Sequence, residues 1–298
     1  MACFHPLSAF RTADGSVVFT ELRRFDIVSP LSLPCGQCVG CRLEKSRQWA
    51  TRCLHEASLY KENAFVTLTY DDAHLPPDGS LDYPAFQKFM KRLRKHFKTP
   101  VRFYMCGEYG SDYDRPHYHV CLFGINFDDR TFWKKLPSGS NLYRSSTLER
   151  LWPFGFSSIG DVTFESAAYV ARYIMKKVNG DLAHAHYSQV DSETGEVIRR
   201  RPEFTKMSLK PGIGSRWIEK YHPDVYPHDY VVVRGKKVRP PRYYDQIIHR
   251  SAPDQMEAIK FERELTGRAH YLDNTDERLA VRETVVKAGL DLFPRSLK

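Results

Sequence analysis

Two alternating runs, VRFYMCGEY at 101–109 and HYHVCLFGI at 117–125, flank the turn GSDYDRP. A period of two built from aromatic and β-branched residues is a strand signal, and Gly, Ser, Asp and Pro between such runs make a turn. The segment predicts an antiparallel hairpin, with Pro116 at a strand's first position, where its missing N–H costs little. That hairpin constrains the rest of the chain, because two strands alone are marginal in water and need further strands or helices to cover their apolar face.

The flanking sequence supplies them. AFVTLTYDD (64–72) reads as a third strand. After the loop LPPDGSLDYP, Asp82 can cap a helix with Pro84 in its first turn. Phe86, Phe89, Met90, Leu93 and Phe97 form that helix's apolar stripe. STLERLW is a short helix, FSSIGDVTF a strand, and ESAAYVARYIMKKV a helix stopped by Asn179-Gly180. Strand, helix, strand, strand, helix, strand, helix predicts an α+β domain: an antiparallel sheet on the ferredoxin-like plan, flanked by helices. We divide the chain into a Cys-rich segment and helix at 1–60, a core at 61–180 and a basic C-terminal region at 181–298. In that last region DYVVVRGKKVRPPRYY predicts a hairpin and DQMEAIKFERELTG a helix.

Charge and cysteine usage narrow the partners. Lys and Arg number 45 against 36 Asp and Glu, a net charge of +9 that favours a polyanion such as nucleic acid. The alternative is a basic enzyme without such a partner. No run of about 18 apolar residues exists, so no helix is expected to span a membrane. MACFHPLSAF lacks the pattern of a secretory signal, which places the protein in a reducing cytoplasm. Seven unevenly spaced cysteines make a poor disulfide framework.

Three constellations carry chemistry. His117 and His119 stand at i and i+2 of a strand, on one face and about 6–7 Å apart at Cα. A second such pair, His184 and His186, lies in a polar segment and reads as a loop feature. The first pair differs because Glu108, on the preceding strand, can face the same side. Two imidazoles and a carboxylate suit Mg²⁺ or Mn²⁺ on a phosphate substrate; otherwise Glu108 is a salt-bridged surface residue. Tyr169 and Tyr173, at i and i+4, share a helix face that Lys177 extends. Such pairs are usually packing residues, but a tyrosine can also form a phosphodiester with DNA. Cys35, Cys38 and Cys41 have the spacing of a tetrahedral Zn²⁺ site, the alternative being buried free thiols. Cys3, with His5 behind it, is the candidate fourth ligand, since Cys53 lies about 18 Å from Cys41 along a continuous helix. Lys88, Arg92 and Lys95, on the basic face of the 83–98 helix, are a candidate path for a DNA backbone.

Taken together these pieces resemble the HUH rolling-circle replication initiators. FVTLT, RPHYHVCLFG and YVARYIMKK look like that family's three motifs, in order. The paired tyrosines, with MACFHPL, CGQCVGCRLEKSRQWATRC, KPGIG and PPRYYD, resemble the initiators of gokushovirus-type microviruses, small single-stranded-DNA phages. The resemblance implies an HUH endonuclease core. It implies that His117, His119 and Glu108 bind a divalent cation, that Tyr169 and Tyr173 are the nucleophiles, and that Lys177 is a motif lysine. It also implies nicking of a viral origin, a 5′-phosphotyrosine link, a 3′-OH primer and later religation of the single-stranded circle. Single-stranded DNA, a host helicase and a host polymerase would be the partners, in the host cytoplasm. A plasmid or transposon HUH nickase and a non-catalytic zinc-containing DNA-binding protein remain the alternatives.

Overall fold

A computed structural model of the chain describes residues 3–20, 25–110, 114–172, 182–190 and 195–292. The chain forms two compact units, one from residues 1–45 with 257–296 and one from 46–256. In the smaller unit β1 (Leu7–Thr12) pairs antiparallel with β2 (Val17–Val18) and β3 (Ile27–Leu33). Helix α1 (Val39–Ala57) begins in this unit and runs on into the larger one.

The larger unit is organised by a sheet. Its first strands are β4 (Asn63–Tyr70), β5 (Arg102–Tyr109) and β6 (Pro116–Phe123), with α2 (Tyr83–Phe97) between β4 and β5. A peripheral hairpin, β7 (Thr131–Lys135) and β8 (Asn141–Arg144), precedes α3 (Ser146–Leu151), β9 (Gly155–Gly160) and α4 (Phe164–Arg172). Then come α5 (Leu182–Tyr187), the pair β10 (Ser188–Val190) and β11 (Val197–Arg199), and β12 (Phe204–Met207). The larger unit continues through α6 (Ser215–Val225), the hairpin β13 (Val231–Val233) and β14 (Lys236–Val238), and α7 (Arg242–Ser251). The chain ends in α8 (Pro253–Ala269) and α9 (Asp276–Asp291).

The sheet order is β12-β5-β6-β4-β9-β8-β7, antiparallel throughout. Within it, β4, β5, β6 and β9 take the spatial order β5-β6-β4-β9, the split arrangement of the ferredoxin-like plan. The α+β expectation therefore holds. Strands β7, β8 and β12 extend the sheet at its two edges.

Strand alternation gives the sheet two apolar faces. Val66, Leu68, Met105, Tyr118, Val120 and Leu122 pack with Phe86, Phe89 and Leu93 of α2 and Leu148 of α3. Phe65, Tyr104, Cys106, Cys121 and Phe123 face the other way, onto Ala50 and Cys53 of α1 and Ala167, Val170 and Ala171 of α4. Each large side chain buried here is worth about 1.5–3 kcal/mol, so both helical layers are anchored firmly. The Gly155 backbone permits β9 to start beside β4. Its φ is +143°, and a Cβ there would sit 2.3 Å from the Asp71 nitrogen.

Two stretches known from sequence only by resemblance have structural work. KPGIG seats against α1: Gly214 N–H donates to Glu56 at 2.7 Å, and Arg102 binds both Glu56 (2.6 Å) and the Pro211 carbonyl (2.7 Å). Breaking such a buried pair from one side costs about 3–5 kcal/mol. In PPRYYD, Tyr243 lies 3.9 Å under the Arg52 guanidinium, and Tyr244 meets His55 at 2.9 Å.

Two expectations need correction. The segment with His184 and His186 is helix α5, not a loop; two residues apart on a helix, the rings point about 160° apart, so they do not converge. Asp82 is the N-cap residue of α2 but makes no side-chain cap bond. Its main chain instead binds the Tyr118 hydroxyl, accepting at 2.8 Å and donating at 2.9 Å.

Candidate metal centre and tyrosine site

Register brings Glu108, His117 and His119 together. Glu108 lies directly opposite His117 in the β5–β6 ladder, and Cys106 opposite His119. On the other side β4 sets Thr69 opposite His117 and Thr67 opposite His119. All of these residues point to the face covered by α1 and α4. Tyr118, between the histidines, points into the opposite core, as its alternation requires.

The ligand atoms converge on one point. His117 Nε2 lies 2.8 Å and His119 Nε2 2.9 Å from the same Glu108 oxygen. The outer nitrogens are held as well. His117 Nδ1 donates to the Arg115 carbonyl at 2.9 Å, and His119 Nδ1 is 3.0 Å from the Thr67 hydroxyl. These bonds direct the lone pairs of both Nε2 atoms inward, where they meet a carboxylate that only accepts. Three acceptors facing one another need a cation or protons between them, so the donor set fits a metal. Glu108 is buried. Burial pushes its carboxyl up, but its bonds with His117 and His119 outweigh that and hold it below the usual range.

Tyr169 stands beside this centre. Its ring meets the His119 ring edge-on, with centroids 5.0 Å apart. Helix α4 sets that position. Thr163 N–H donates to Ser166 Oγ at 2.8 Å and Ser166 N–H to Thr163 Oγ1 at 3.2 Å, a reciprocal cap at the helix start. Ala167 and Ala171 are small enough to let the helix lie close on the sheet, and Ser46 of α1 donates to the Ala168 carbonyl at 3.0 Å. Tyr173 and Lys177 lie outside the described residues.

A second cluster lies in the smaller unit. The sulfurs of Cys3, Cys35, Cys38 and Cys41 are all within 4.8 Å of one another, and all seven cysteines are free thiols. A ZnS₄ tetrahedron with bonds of about 2.3 Å has edges of about 3.8 Å; Cys3 and Cys38 are 3.9 Å apart. Backbone N–H groups surround the sulfurs. Cys35 donates to Cys3 (3.2 Å), Phe4 to Cys38 (3.3 Å) and Cys38 to Cys35 (3.3 Å). Burial pushes the Cys38 thiol up, but the N–H groups of Phe4 and Cys41 prevail and bring it to about 6. This is a thiolate site with four ligands and a metal-sized centre. His5 is not one of them; it is exposed and pairs with Glu283 at 2.7 Å. Cys53 packs in the core beneath α1.

The residues named as a DNA path sit elsewhere. Helix α2 covers the sheet face opposite the histidines. Lys88 and Lys95 are exposed there, and Arg92 donates to the Leu151 carbonyl at 2.8 Å. Sequence reasoning missed Thr67 and the Arg115 carbonyl, whose roles depend on strand register. It also missed the β7–β8 hairpin, although TFWKK mixes aromatic and basic residues in a way that could have drawn attention.

Among the described residues no helix is long and apolar enough to cross a membrane. A family model of replication-associated proteins, the ORF2 family, matches residues 63–178, the stretch that holds both the histidines and the tyrosines. The chain is 34% identical over 264 residues to the replication-associated protein VP4 of Bdellovibrio phage phiMH2K, covering 86% of this chain and 79% of that protein. It is 32% identical over 291 residues to the replication-associated protein ORF2 of Spiroplasma virus 4, covering 89% and 86%. With the replication-associated protein ORF4 of Chlamydia phage 1 the identity is 29%, covering 84% and 63%. No solved structure matches the chain.

Proposed function

This chain belongs to the replication-associated proteins of gokushovirus-type microviruses, and from that premise we propose that it initiates rolling-circle replication as a metal-dependent DNA endonuclease and strand transferase of the HUH type. The observation that carries this reading is the edge-on contact of Tyr169 with His119, one of three residues converging as metal ligands. A nucleophile beside a phosphate-binding cation is what transesterification of DNA needs.

Glu108, His117 and His119 hold Mg²⁺ or Mn²⁺, which when bound supplies Lewis-acid polarisation of the scissile phosphate. Tyr169 Oη attacks phosphorus. The Oη–P bond forms, the P–O3′ bond breaks, and the phenolic proton is balanced by protonation of the departing 3′-OH. The DNA 5′ end stays on the tyrosine and the 3′-OH primes a host polymerase, with a host helicase opening the duplex. Tyr173 then cleaves the regenerated origin. The new 3′-OH attacks the first phosphotyrosine, frees that phenol and closes the single-stranded circle. Lys177 offsets charge at the phosphate. Lys88, Lys95 and the basic C-terminal region add salt-sensitive attraction for DNA. The four cysteines hold a structural Zn²⁺.

The test incubates full-length protein with single-stranded origin DNA and Mn²⁺ and looks for a protein–DNA adduct that survives denaturant. Wild type forms it, EDTA prevents it, and the Tyr169→Phe/Tyr173→Phe double variant forms none. Folded wild type that gives no adduct with origin DNA would sink the enzymatic reading.

A further inference from the structure

The cavity beside His119 and Tyr169 has a wall that the reaction above does not use. It encloses ≈ 400 Å³ and extends from Thr67, His119 and Tyr169 across β9 to Trp133, Lys134 and Asn141 of the β7–β8 hairpin. Register shows how that wall arises. The β7–β8 ladder slips between Phe132 and Lys134, so Trp133 stands in a bulge outside the regular alternation. Phe132 remains 62% and Trp133 48% exposed, and every residue of β7 is exposed. Exposed aromatics on a bare edge strand are an aggregation liability unless they have a use.

Their surroundings point to the use. Lys134 Nζ lies 4.5 Å from the centre of the Trp133 ring, and the Arg130 guanidinium 5.0 Å from that of Tyr143. Arg144, 5.7 Å from Trp133, is held by Glu149 at 2.8 Å. Cations interleaved with open ring faces are the chemistry that binds single strands: bases stack on the rings and phosphates meet the cations. The cavity interior is different, with Asp161 and Glu165 at its wall. Both are already matched, Glu165 to Arg234 at 2.8 Å and Asp161 to Arg130 at 4.0 Å. Their negative charge still repels a phosphate, while their oxygens can accept from a base's amino group. So a base enters and the backbone stays outside, along the lysine.

We propose that the β7–β8 hairpin is a stacking platform for the single strand at the cleavage site, with one unstacked base in the cavity against Trp133 and its phosphate on Lys134. This inference rests on the nicking reading for its substrate. Helix α2 lies across the sheet from the platform, so Lys88 and Lys95 do not contribute to it.

The test measures binding of a fluorescein-labelled oligo(dT), a probe suited to sequence-tolerant stacking, by anisotropy on the full-length protein. Trp133→Ala weakens binding roughly ten-fold or more, and Trp133→Phe, which keeps a ring, stays within about three-fold of wild type. Oligo(dT) quenches tryptophan emission in wild type, and that quenching is lost in Trp133→Phe. Lys134→Ala lowers the slope of log affinity against log salt by about 0.7, one phosphate's share. Unchanged binding in folded Trp133→Ala, or quenching that persists in Trp133→Phe, overturns the proposal. The adduct assay separates the two readings. Wild-type adduct with unaltered Trp133→Ala binding removes the platform and leaves the nicking reading. Absent adduct with weakened Trp133→Ala binding does the reverse.

Discussion

The two ligand clusters of this chain differ in number, chemistry and surroundings. Cys3, Cys35, Cys38 and Cys41 offer four sulfurs, a complete tetrahedral set that leaves a metal no open position. Glu108, His117 and His119 offer three ligands, and the space beside them opens into a cavity with Tyr169 in its wall. A closed set stabilises a fold, whereas an open set leaves room for a substrate oxygen. Their scaffolds differ in the same sense. The sulfurs sit on a loop and the first turn of α1, tied by N–H···S bonds from a local main chain. The imidazoles sit on the second of two adjacent strands of a sheet covered by helices, where register fixes their positions.

That contrast is open to test, and the largest effect is expected in the smaller unit. Structural zinc contributes about 10–16 kcal/mol of apparent binding energy in small zinc peptides. Cys38→Ser should therefore lose bound zinc, measured by atomic emission, and several kcal/mol of stability by thermal melting. Mn²⁺ affinity at the histidines should stay at the wild-type value. A joint loss would show that the clusters form one thermodynamic unit and would break the contrast.

At the open cluster, His119→Ala should lower Mn²⁺ affinity and adduct formation by more than about 100-fold, since even outer-shell losses reach that figure. Titration calorimetry and the adduct assay measure this. Survival of activity would mean that the imidazoles are not ligands.

The scaffold has its own pH signature. His55 stacks on Trp217, with centroids 3.5 Å apart, and burial pulls its imidazole down to about 4 from the usual 6.5. A lowered folded value means the unfolded chain binds the proton more readily. The contribution is thus fully present above pH 6.5 and lost as the pH falls toward about 4. Allowing for the ring's partial exposure, that is about 2–3 kcal/mol. Chemical denaturation across that window should show it, and His55→Phe should flatten the profile.

The smallest effect concerns an outer bond. Thr67→Ala removes the hydroxyl 3.0 Å from His119 Nδ1 and should cost about ten-fold in Mn²⁺ affinity. No change would mean that strand packing alone orients that ring.

Much of this was legible along the chain because it depends on local periodicity. The hairpin, the β4 strand, α2 and α4 follow from alternation, apolar stripes and capping residues, each settled within a dozen or so neighbours. The C-x₂-C-x₂-C spacing likewise brings three sulfurs together, since a short loop and one helical turn leave them little freedom. Glu108 was readable as a partner of the histidines because a tight turn joins their strands.

What the sequence could not decide depends on long-range register and packing. Cys3 reaches the other three cysteines across more than thirty residues, through pairing of β1 with β3. Thr67 supports His119 because β4 pairs with β6, fifty-two residues away. The bulge that frees Trp133 arises from a slip between two short edge strands that carry no period of their own. Tyr169 reads as a packing residue by its spacing, and its neighbours on α4 are packing residues. Its approach to His119 is set by how closely two alanines let that helix lie on the sheet. The sequence determined which elements form and which faces are apolar, because short-range periodicity governs both. Only the tertiary structure decided which polar atoms meet, because a one-residue change of register would turn every one of them to the other face.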